Sequence, residues 1–288
     1  MKLKARAKIN LTLEVLGKRK DNYHNLMMVM QSIDIYDKIE IGIRNSEGIF
    51  LDCNKKELMT KDNLAYRAAK IFLEYIKSDV GCDIYIEKAI PMGAGLAGGS
   101  TNAAAVLYAL NQLTNAKLSE EELMKLALSL GADVPFCLHG GTQFSEGVGE
   151  RLSKLPDLDF SLLLVKPKES ISTAQVFQKL EPSDYSDGEK TKRFIQFSEE
   201  KNYHRALQYM CNGLYEKSLS FVPQMSEIIQ RMKKDFGCAA AMMSGSGSTV
   251  FGIFDNREAR RKAYEYFSAI HEDVFETQTA PQSIINEV

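Results

Sequence analysis

The sequence predicts an α+β protein of two domains, and three observations lead to this fold class. Residues 3–15 alternate strictly between apolar and polar, which is typical of a strand. Residues 63–76 carry apolar side chains at helical spacing, which predicts a helix with one core-facing side. Residues 156–159, which include a proline and two aspartates, then interrupt the pattern before a new apolar strand begins. We therefore place a domain boundary there.

Composition and charge exclude several classes of protein. At 288 residues, with 44% hydrophobic and 26% charged residues, the chain is long enough for two globular domains. The net charge of −2 provides no strong field to attract nucleic acid or an anionic membrane, so any anion site must be local. Five scattered cysteines without a C-x-x-C pair favour reduced thiols over disulfides or a zinc site. With no leader pattern and no run of 18 apolar residues, the expected location is cytoplasmic.

The first predicted strand carries Lys8 and Asn10 on its polar face. Every odd position from 3 to 15 is apolar, and every even position between them is polar. A period of two makes Lys8 and Asn10 neighbours that project to the same side. They are either the solvated face of an edge strand or a pair that reaches into a cleft. The polar segment 17–25 then predicts a hairpin that returns through a second strand at 28–32.

Further strands and helix caps follow from local signals. Residues 39–43 alternate, and residues 49–51 are predicted as their short partner after a turn. Asp62 is predicted to cap the helix at 63–76. Ser119 and Glu122 have the spacing of a capping box, which predicts the start of another helix.

A glycine-dense loop, Pro91 to Asn102, joins a strand pattern to a helix pattern. A strand-to-helix turn leaves the first backbone N–H groups of the helix unpaired, and glycines let a phosphate chain approach the backbone. Ser100 and Thr101 can cap that helix or offer hydroxyls to phosphate or Mg²⁺. The loop therefore predicts a phosphate-binding site, although glycines that merely permit tight packing would look the same.

The same loop contains a G-x-G-x-x-G match at Gly93, Gly95 and Gly98, which is the fingerprint of dinucleotide binding. Two observations count against that interpretation. The preceding strand alternates between polar and apolar residues, whereas a Rossmann first strand is buried on both faces. The acidic residue expected about 20 positions on falls in residues 120–122, which open the capping-box helix instead. We therefore reject the dinucleotide interpretation.

Two further segments carry chemistry. Asp133 stands before Val134 and Pro135, where it is either a helix cap or a functional carboxylate. Residues 244–249 form a second loop of serines and glycines, a composition that can make an anion-binding nest. The second domain is predicted to be α+β, and residues 181–189 are predicted as an exposed loop. Its predicted helices are 173–180, 190–197, 202–220, 223–235 and 256–269, and its predicted strands are 160–165, 239–243, 249–254 and 273–278.

Four motifs together resemble those of the GHMP kinases: residues 7–11, the loop 91–102, residues 131–135 and the loop 244–249. The resemblance spans nearly the whole chain. It implies a two-domain architecture with a ribosomal-S5-like N-terminal domain at 1–156 and a ferredoxin-like C-terminal domain at 157–288. It also implies ATP and Mg²⁺ as cofactors, a small-molecule substrate, and an active site in the cleft between the domains.

Within this superfamily the chain looks like the kinases that phosphorylate the carbon-2 hydroxyl of methylerythritol linked to cytidine diphosphate, in the non-mevalonate isoprenoid route. The resemblance implies Lys8 and Asp133 as the catalytic pair. It implies substrate contacts at Asn10, Tyr23, His24, Thr173 and Phe177, with Tyr23 and His24 on the cytosine. It implies ATP contacts at Asn63, Leu64, Lys88, Pro91, Met92, Gly93, Ala94, Gly95, Leu96, Ala97, Gly98, Gly99, Ser100 and Thr101. Two residues depart from the usual pattern, Asn22 and Ala97, where glycine is usual.

Physical reasoning gives the same roles. Phosphoryl transfer depends mainly on positioning and charge stabilisation, which a glycine loop provides. Asp133 could accept the proton of the attacking hydroxyl or only orient that hydroxyl, and Lys8 would neutralise the transferring group. The alternatives are a kinase of the same superfamily for homoserine, mevalonate or a sugar, and a nucleic-acid-binding module. Tyr23 and His24 argue against the first alternative, and the net charge argues against the second.

Overall fold

A computed structural model describes residues 1–287 as two β-sheets covered by helices. The strands are β1 (Lys2–Lys18), β2 (His24–Arg44), β3 (Ile49–Cys53), β4 (Gly81–Glu87), β5 (Thr142–Gly147), β6 (Arg151–Lys154), β7 (Ser161–Lys166), β8 (Cys211–Asn212), β9 (Ala240–Met243), β10 (Val250–Ile253), β11 (Asp273–Gln278) and β12 (Ile284–Glu287). The helices are α1 (Leu64–Tyr75), α2 (Gly98–Leu113), α3 (Glu120–Leu130), α4 (Val134–His139), α5 (Thr173–Gln178), α6 (Glu189–Glu199), α7 (Tyr203–Leu207), α8 (Tyr215–Leu219), α9 (Gln224–Lys234) and α10 (Arg257–Ser268). The predicted α+β class is confirmed.

The larger sheet has eight strands and is mostly antiparallel. Its main path runs β12-β1-β2-β4-β3, with β5 and β6 attached through β2 and with β8 beside β1. The hairpin of β1 and β2 is confirmed, and β2 is one long strand that includes both predicted segments. The predicted pairing of β3 with the strand before it is wrong, because β3 runs parallel to β4. A turn signal between two strands does not show whether they pair with each other or whether a third strand lies between them, as β4 does here.

β1 is a central strand, and its polar face is buried from Lys8 to Glu14. Lys8 is 4% exposed and Asn10 is fully buried. The pairing of β1 with β2 is irregular at two places in this region, between Arg6 and Lys8 and between Asn10 and Thr12. Apolar residues on either side of this segment, Leu3, Ala5, Leu13 and Val15, pack in one hydrophobic cluster. Those within it, Ala7, Ile9 and Leu11, pack in a second cluster that includes strands of the smaller sheet. β1 therefore joins the two cores.

The predicted helices are present, but the cap of α1 and the extent of the helix at 202–220 differ from the prediction. Ser119 and Glu122 form the predicted capping box of α3. The cap of α1 is Asn63 rather than Asp62, since the Asn63 side chain accepts a hydrogen bond from the N–H of Ala65. The helix predicted at 202–220 is two short helices, α7 and α8, because the intervening β8 pairs with β1.

The smaller sheet is antiparallel in the order β11-β7-β10-β9. Its four strands match the predicted segments, whereas β12 was not predicted. β8 and β12 both follow residue 157 in the chain but pair with β1. The division at residues 156 and 157 stays a prediction, and residue 288 lies outside the described residues. All five cysteines are free thiols. Within residues 1–287, no helix is long and apolar enough to cross a membrane.

Candidate active site

The glycine-dense loop connects β4 to α2 as predicted, and the helix begins inside the motif at Gly98. Ala97 occupies the N-cap position with a left-handed φ of 56° and gives no side-chain cap. Ser100 and Thr101 lie within the first turn, so of their two predicted roles the one as caps is wrong, and the one as hydroxyls for phosphate or Mg²⁺ stays a prediction. The first turn has no acidic residue. The helix start therefore presents unpaired N–H groups in a setting that favours an anion.

The two serine- and glycine-containing loops contact each other directly. The Ser244 hydroxyl donates to the carbonyl of Gly95 at 3.0 Å, and the N–H of Thr249 donates to the carbonyl of Ala94 at 3.3 Å. Gly95 has a φ of 73°, and an added Cβ would lie 2.2 Å from the Ser244 carbonyl oxygen. Glycine is therefore required at position 95 by both conformation and contact. The second loop supports the first.

A buried carboxylate fixes both ends of the glycine-dense loop. Asp37 on β2 is fully buried and accepts hydrogen bonds from the Lys88 ammonium, from the N–H groups of Ala89 and Ile90, and from the Asn102 side chain. Residues 88–90 precede the loop and Asn102 follows it. Burial lowers the pKa of Lys88, an effect opposed by the adjacent Asp37. Sequence reasoning missed Asp37, since a single aspartate in a strand pattern gives no signal.

The structure brings Lys8, Asn10 and Asp133 together. The Lys8 ammonium donates to Asn10 Oδ1 at 2.7 Å and lies 3.7 Å from Asp133 Oδ2. The backbone N–H of Lys8 donates to the carbonyl of Leu96 at 3.1 Å, which ties this strand to the glycine-dense loop. Asp133 occupies the N-cap position of α4, but its side chain makes no capping bond there and is 36% exposed. Its carboxylate is available to a ligand.

Two aromatic rings pack against His24 at the start of β2. The His24 ring centroid is 5.2 Å from that of Phe177 and 6.1 Å from that of Tyr185. His24 is 7% exposed, although it follows a polar turn, and burial together with the nearby Lys18 lowers its pKa. Tyr23 is 62% exposed at the tip of the turn. His24 and Phe177 are thus in contact as a pair, and Tyr185 is an additional neighbour that sequence reasoning missed.

The remaining predicted residues lie at the ends of helices. Thr173 is the first residue of α5, and its hydroxyl forms a hydrogen bond with the Ser246 hydroxyl of the second loop at 2.7 Å. Asn63 caps α1, and the Leu64 side chain borders Gly99. Thr101 is fully buried, and its hydroxyl has no hydrogen-bond partner within the described residues. These positions lie around the two loops. Within residues 1–287, no three histidine, cysteine, aspartate or glutamate side chains are grouped so that they could hold a metal ion.

Both parts of the chain match family models. Residues 63–141 match the GHMP kinases N terminal domain, and residues 197–273 match the GHMP kinases C terminal model. A 4-diphosphocytidyl-2-C-methyl-D-erythritol kinase of Clostridium botulinum is 43% identical over 284 residues, which cover 97% of this chain and 100% of that protein. A protein of the same name from Alkaliphilus oremlandii is 43% identical over 280 residues, which cover 96% of each.

Solved structures agree with these relatives. A crystal structure of 4-(cytidine 5'-diphospho)-2C-methyl-D-erythritol kinase has a TM-score of 0.83 and 32% identity, covering 97% of this chain and 99% of that one. A homoserine kinase from Cytophaga hutchinsonii has a TM-score of 0.79 at 17% identity, covering 99% of this chain and 96% of that one, which shows the shared fold alone. The chain therefore belongs to the GHMP kinases and, within them, to the family of 4-diphosphocytidyl-2-C-methyl-D-erythritol kinases.

Proposed function

We propose that the chain transfers the γ-phosphoryl group of ATP to the carbon-2 hydroxyl of 4-diphosphocytidyl-2-C-methyl-D-erythritol, in isoprenoid precursor synthesis. The observation that carries the proposal is the pair of Lys8 and Asp133, whose charged groups are 3.7 Å apart. The backbone of Lys8 is hydrogen-bonded to the glycine-dense loop at Leu96. A carboxylate and an ammonium beside a helix start with free N–H groups supply the positioning and charge stabilisation on which phosphoryl transfer depends.

The proposed mechanism assigns one role to each side chain. Asp133 accepts the hydroxyl proton as the substrate oxygen forms its bond to the γ-phosphorus and the bond to the ADP oxygen breaks. Lys8 donates a hydrogen bond to Asn10 Oδ1, which fixes the direction of its ammonium, and the ammonium lies 3.7 Å from Asp133 Oδ2. The same ammonium stabilises the charge on the transferring group. Asn10 therefore positions Lys8 in addition to its proposed contact with the substrate.

The nucleotide is proposed to bind with its phosphates on the N–H groups at the start of α2. Residues 91–101 form the loop around the phosphates, and Asn63 and Leu64 border it from the start of α1. The Lys88 ammonium is bonded to Asp37 and 9% exposed, so we assign Lys88 to the support of the loop rather than to direct phosphate binding.

ATP would bring Mg²⁺, which would supply charge neutralisation to the phosphates. Because no three acidic, histidine or cysteine side chains within residues 1–287 form a metal-binding group, most of its ligands would be phosphate oxygens and water. Ser100 is the better protein candidate of the two hydroxyls, since it is partly exposed in the first turn whereas Thr101 is fully buried.

The cytosine is proposed to bind at His24, with Tyr23 and Phe177 as aromatic partners and Thr173 nearby. Because its lowered pKa leaves the imidazole neutral at pH 7, His24 offers one donor and one acceptor to a pyrimidine edge. A site that hydrogen-bonds a base discriminates strongly against analogues that leave its own polar groups unpaired.

The test is an assay of ADP release with the cytidine substrate, its uridine analogue, homoserine and mevalonate under identical conditions. We expect turnover with the cytidine substrate alone, and a much lower rate with the uridine analogue. Turnover with homoserine or mevalonate at a comparable rate would overturn the proposal and leave only the superfamily assignment.

A further inference from the structure

Residues 181–188 form a strap that lies across the hairpin of β1 and β2. They were predicted as an exposed loop, which is wrong for several of these residues. The N–H of Ser186 donates to the carbonyl of Val15 at 2.9 Å, so the strap is bonded to β1. Asp184 forms an ion pair with Lys217 of α8 at 3.0 Å, and both side chains are largely shielded from solvent. Gly188 is buried at the end of the strap. The strap is therefore anchored on both sides of Tyr185.

Tyr185 lies between these anchors and turns its ring toward His24. The two ring planes meet at 64° with centroids 6.1 Å apart, an edge-to-face geometry that aromatic pairs favour. Phe177 contacts the same imidazole at 5.2 Å with an interplanar angle of 34°. His24 is thus packed by two rings from different elements. This packing leaves the imidazole little freedom to rotate.

The polar atoms of His24 remain available in this packing. Within residues 1–287, no protein group forms a hydrogen bond with the imidazole. Both ring nitrogens keep some contact with solvent, since neither is among the fully buried atoms that lack a partner. The described side-chain contacts of His24 are with the rings of Phe177 and Tyr185. An imidazole held by its carbon surface, with its nitrogens free, is prepared to bind a ligand with a defined hydrogen-bond pattern.

We propose that Tyr185 is a specificity-determining residue of the base site, which positions the His24 imidazole for reading the pyrimidine edge. This inference rests on the proposed function, because it takes the cytosine to bind at His24. Tyr23 cannot hold the imidazole, since its side chain is directed to solvent and is 62% exposed. Without Tyr185, Phe177 would be the remaining aromatic contact of the imidazole, and the ring would gain orientations that discriminate less between cytosine and uracil.

The experiment compares the variants Tyr185→Ala, Tyr185→Leu and Tyr185→Phe in steady-state kinetics with the cytidine substrate and its uridine analogue. For Tyr185→Ala and Tyr185→Leu we expect KM for the cytidine substrate to rise about tenfold and the preference for cytidine over uridine to fall about tenfold, with KM for ATP unchanged. Tyr185→Phe keeps the ring and should retain wild-type values. Tyr75→Ala is the control, because it removes an exposed tyrosine at the end of α1 opposite to the end that borders the glycine-dense loop.

The outcomes separate this inference from the function on which it rests. Failure of the wild-type enzyme to phosphorylate the cytidine substrate would overturn both. Wild-type turnover combined with an unchanged base preference in Tyr185→Leu would overturn the inference alone. A rise in KM for both ATP and the cytidine substrate would also overturn it, because that pattern indicates general loosening of the fold. If Tyr185→Ala does not fold, Tyr185→Leu, which retains apolar volume, decides the question.

Discussion

Lys88 and Gly98 are in contact at the start of α2, with the ammonium lying directly beneath the glycine. A Cβ added at Gly98 would lie 2.6 Å from Lys88 Nζ and 3.0 Å from Ile90 Cγ2. The space beside Gly98 is thus filled by the buried support of the loop rather than by a bound phosphate. A side chain at position 98 would therefore collide with Lys88 and Ile90, which support the loop.

Replacing Gly98 by valine is expected to reduce stability and nucleotide binding together. The branched side chain would displace Lys88 or Ile90, which are held by Asp37, so the loop would lose its support. Thermal unfolding and calorimetry with a non-hydrolysable ATP analogue measure the two effects. Gly99→Ala is the control for the fold, because its Cβ would meet only Leu64 Cδ1 at 3.5 Å. A Gly98→Val protein of wild-type thermal stability would contradict this account.

Replacing Asp37 by alanine is expected to destabilise the protein by roughly 3–5 kcal/mol, the usual effect of leaving a buried charge without its partner. Four donors would lose their acceptor, and Lys88 would remain buried and unpaired. Urea unfolding gives the free energy. The double variant Asp37→Ala with Lys88→Met should recover part of the loss, because it removes the unpaired ammonium. Strictly additive losses would show that the two residues act independently.

Replacing Asp133 by asparagine is expected to lower kcat by roughly 10²–10⁴, the typical contribution of a positioned general base. Thermal stability and ATP affinity should remain near wild type, because the Asp133 side chain makes no capping bond and is partly exposed. Asp159→Asn changes an exposed aspartate outside the site and serves as the control. If kcat kept more than a tenth of its wild-type value, Asp133 would be limited to orienting the hydroxyl.

Lowering the pH is expected to raise KM for the cytidine substrate while KM for ATP stays nearly constant. The pKa of His24 is lowered from its ordinary value of 6.5 by burial and by Lys18, so the neutral imidazole predominates at pH 7. Protonation, which converts its acceptor into a donor, becomes significant only below that value. Kinetics between pH 5.5 and 7.5 measure the change. In His24→Asn the additional pH dependence should disappear, which separates it from titration of the substrate itself.

Elements with strong local periodicity could be predicted from the sequence, whereas pairings between distant segments could not. The alternation in β1, the capping box of α3 and the turn into α2 are local patterns, and the structure has all three. The pairing of β3, the short strand β8 and the terminal strand β12 depend on partners far along the chain. Two-residue strands and four-residue strands carry too few positions to show a period.

The candidate site divides in the same way. Lys8, Asn10 and Asp133 were found because they stand in recognisable motifs, and the structure brings them together. Asp37 and Tyr185 stand in no motif. Asp37 acts on the loop across 51 residues of sequence to Lys88, and Tyr185 reaches His24 only because the strap is docked on β1. Residues that hold a functional group in place through long-range contacts become visible only in the folded chain.

The pairing of β12 with β1 also determines when the fold can be completed. Residues 2–5 pair with residues 284–287, so one edge of the central strand stays open in this region until β12 has been synthesised. An unpaired strand edge is a template for pairing with other chains, and contacts between such distant segments form slowly. A nascent chain that ends before β12 exposes this edge. Closure of the larger sheet therefore has to wait for β12, and until then the open edge of β1 is a site at which the chain can pair with other chains.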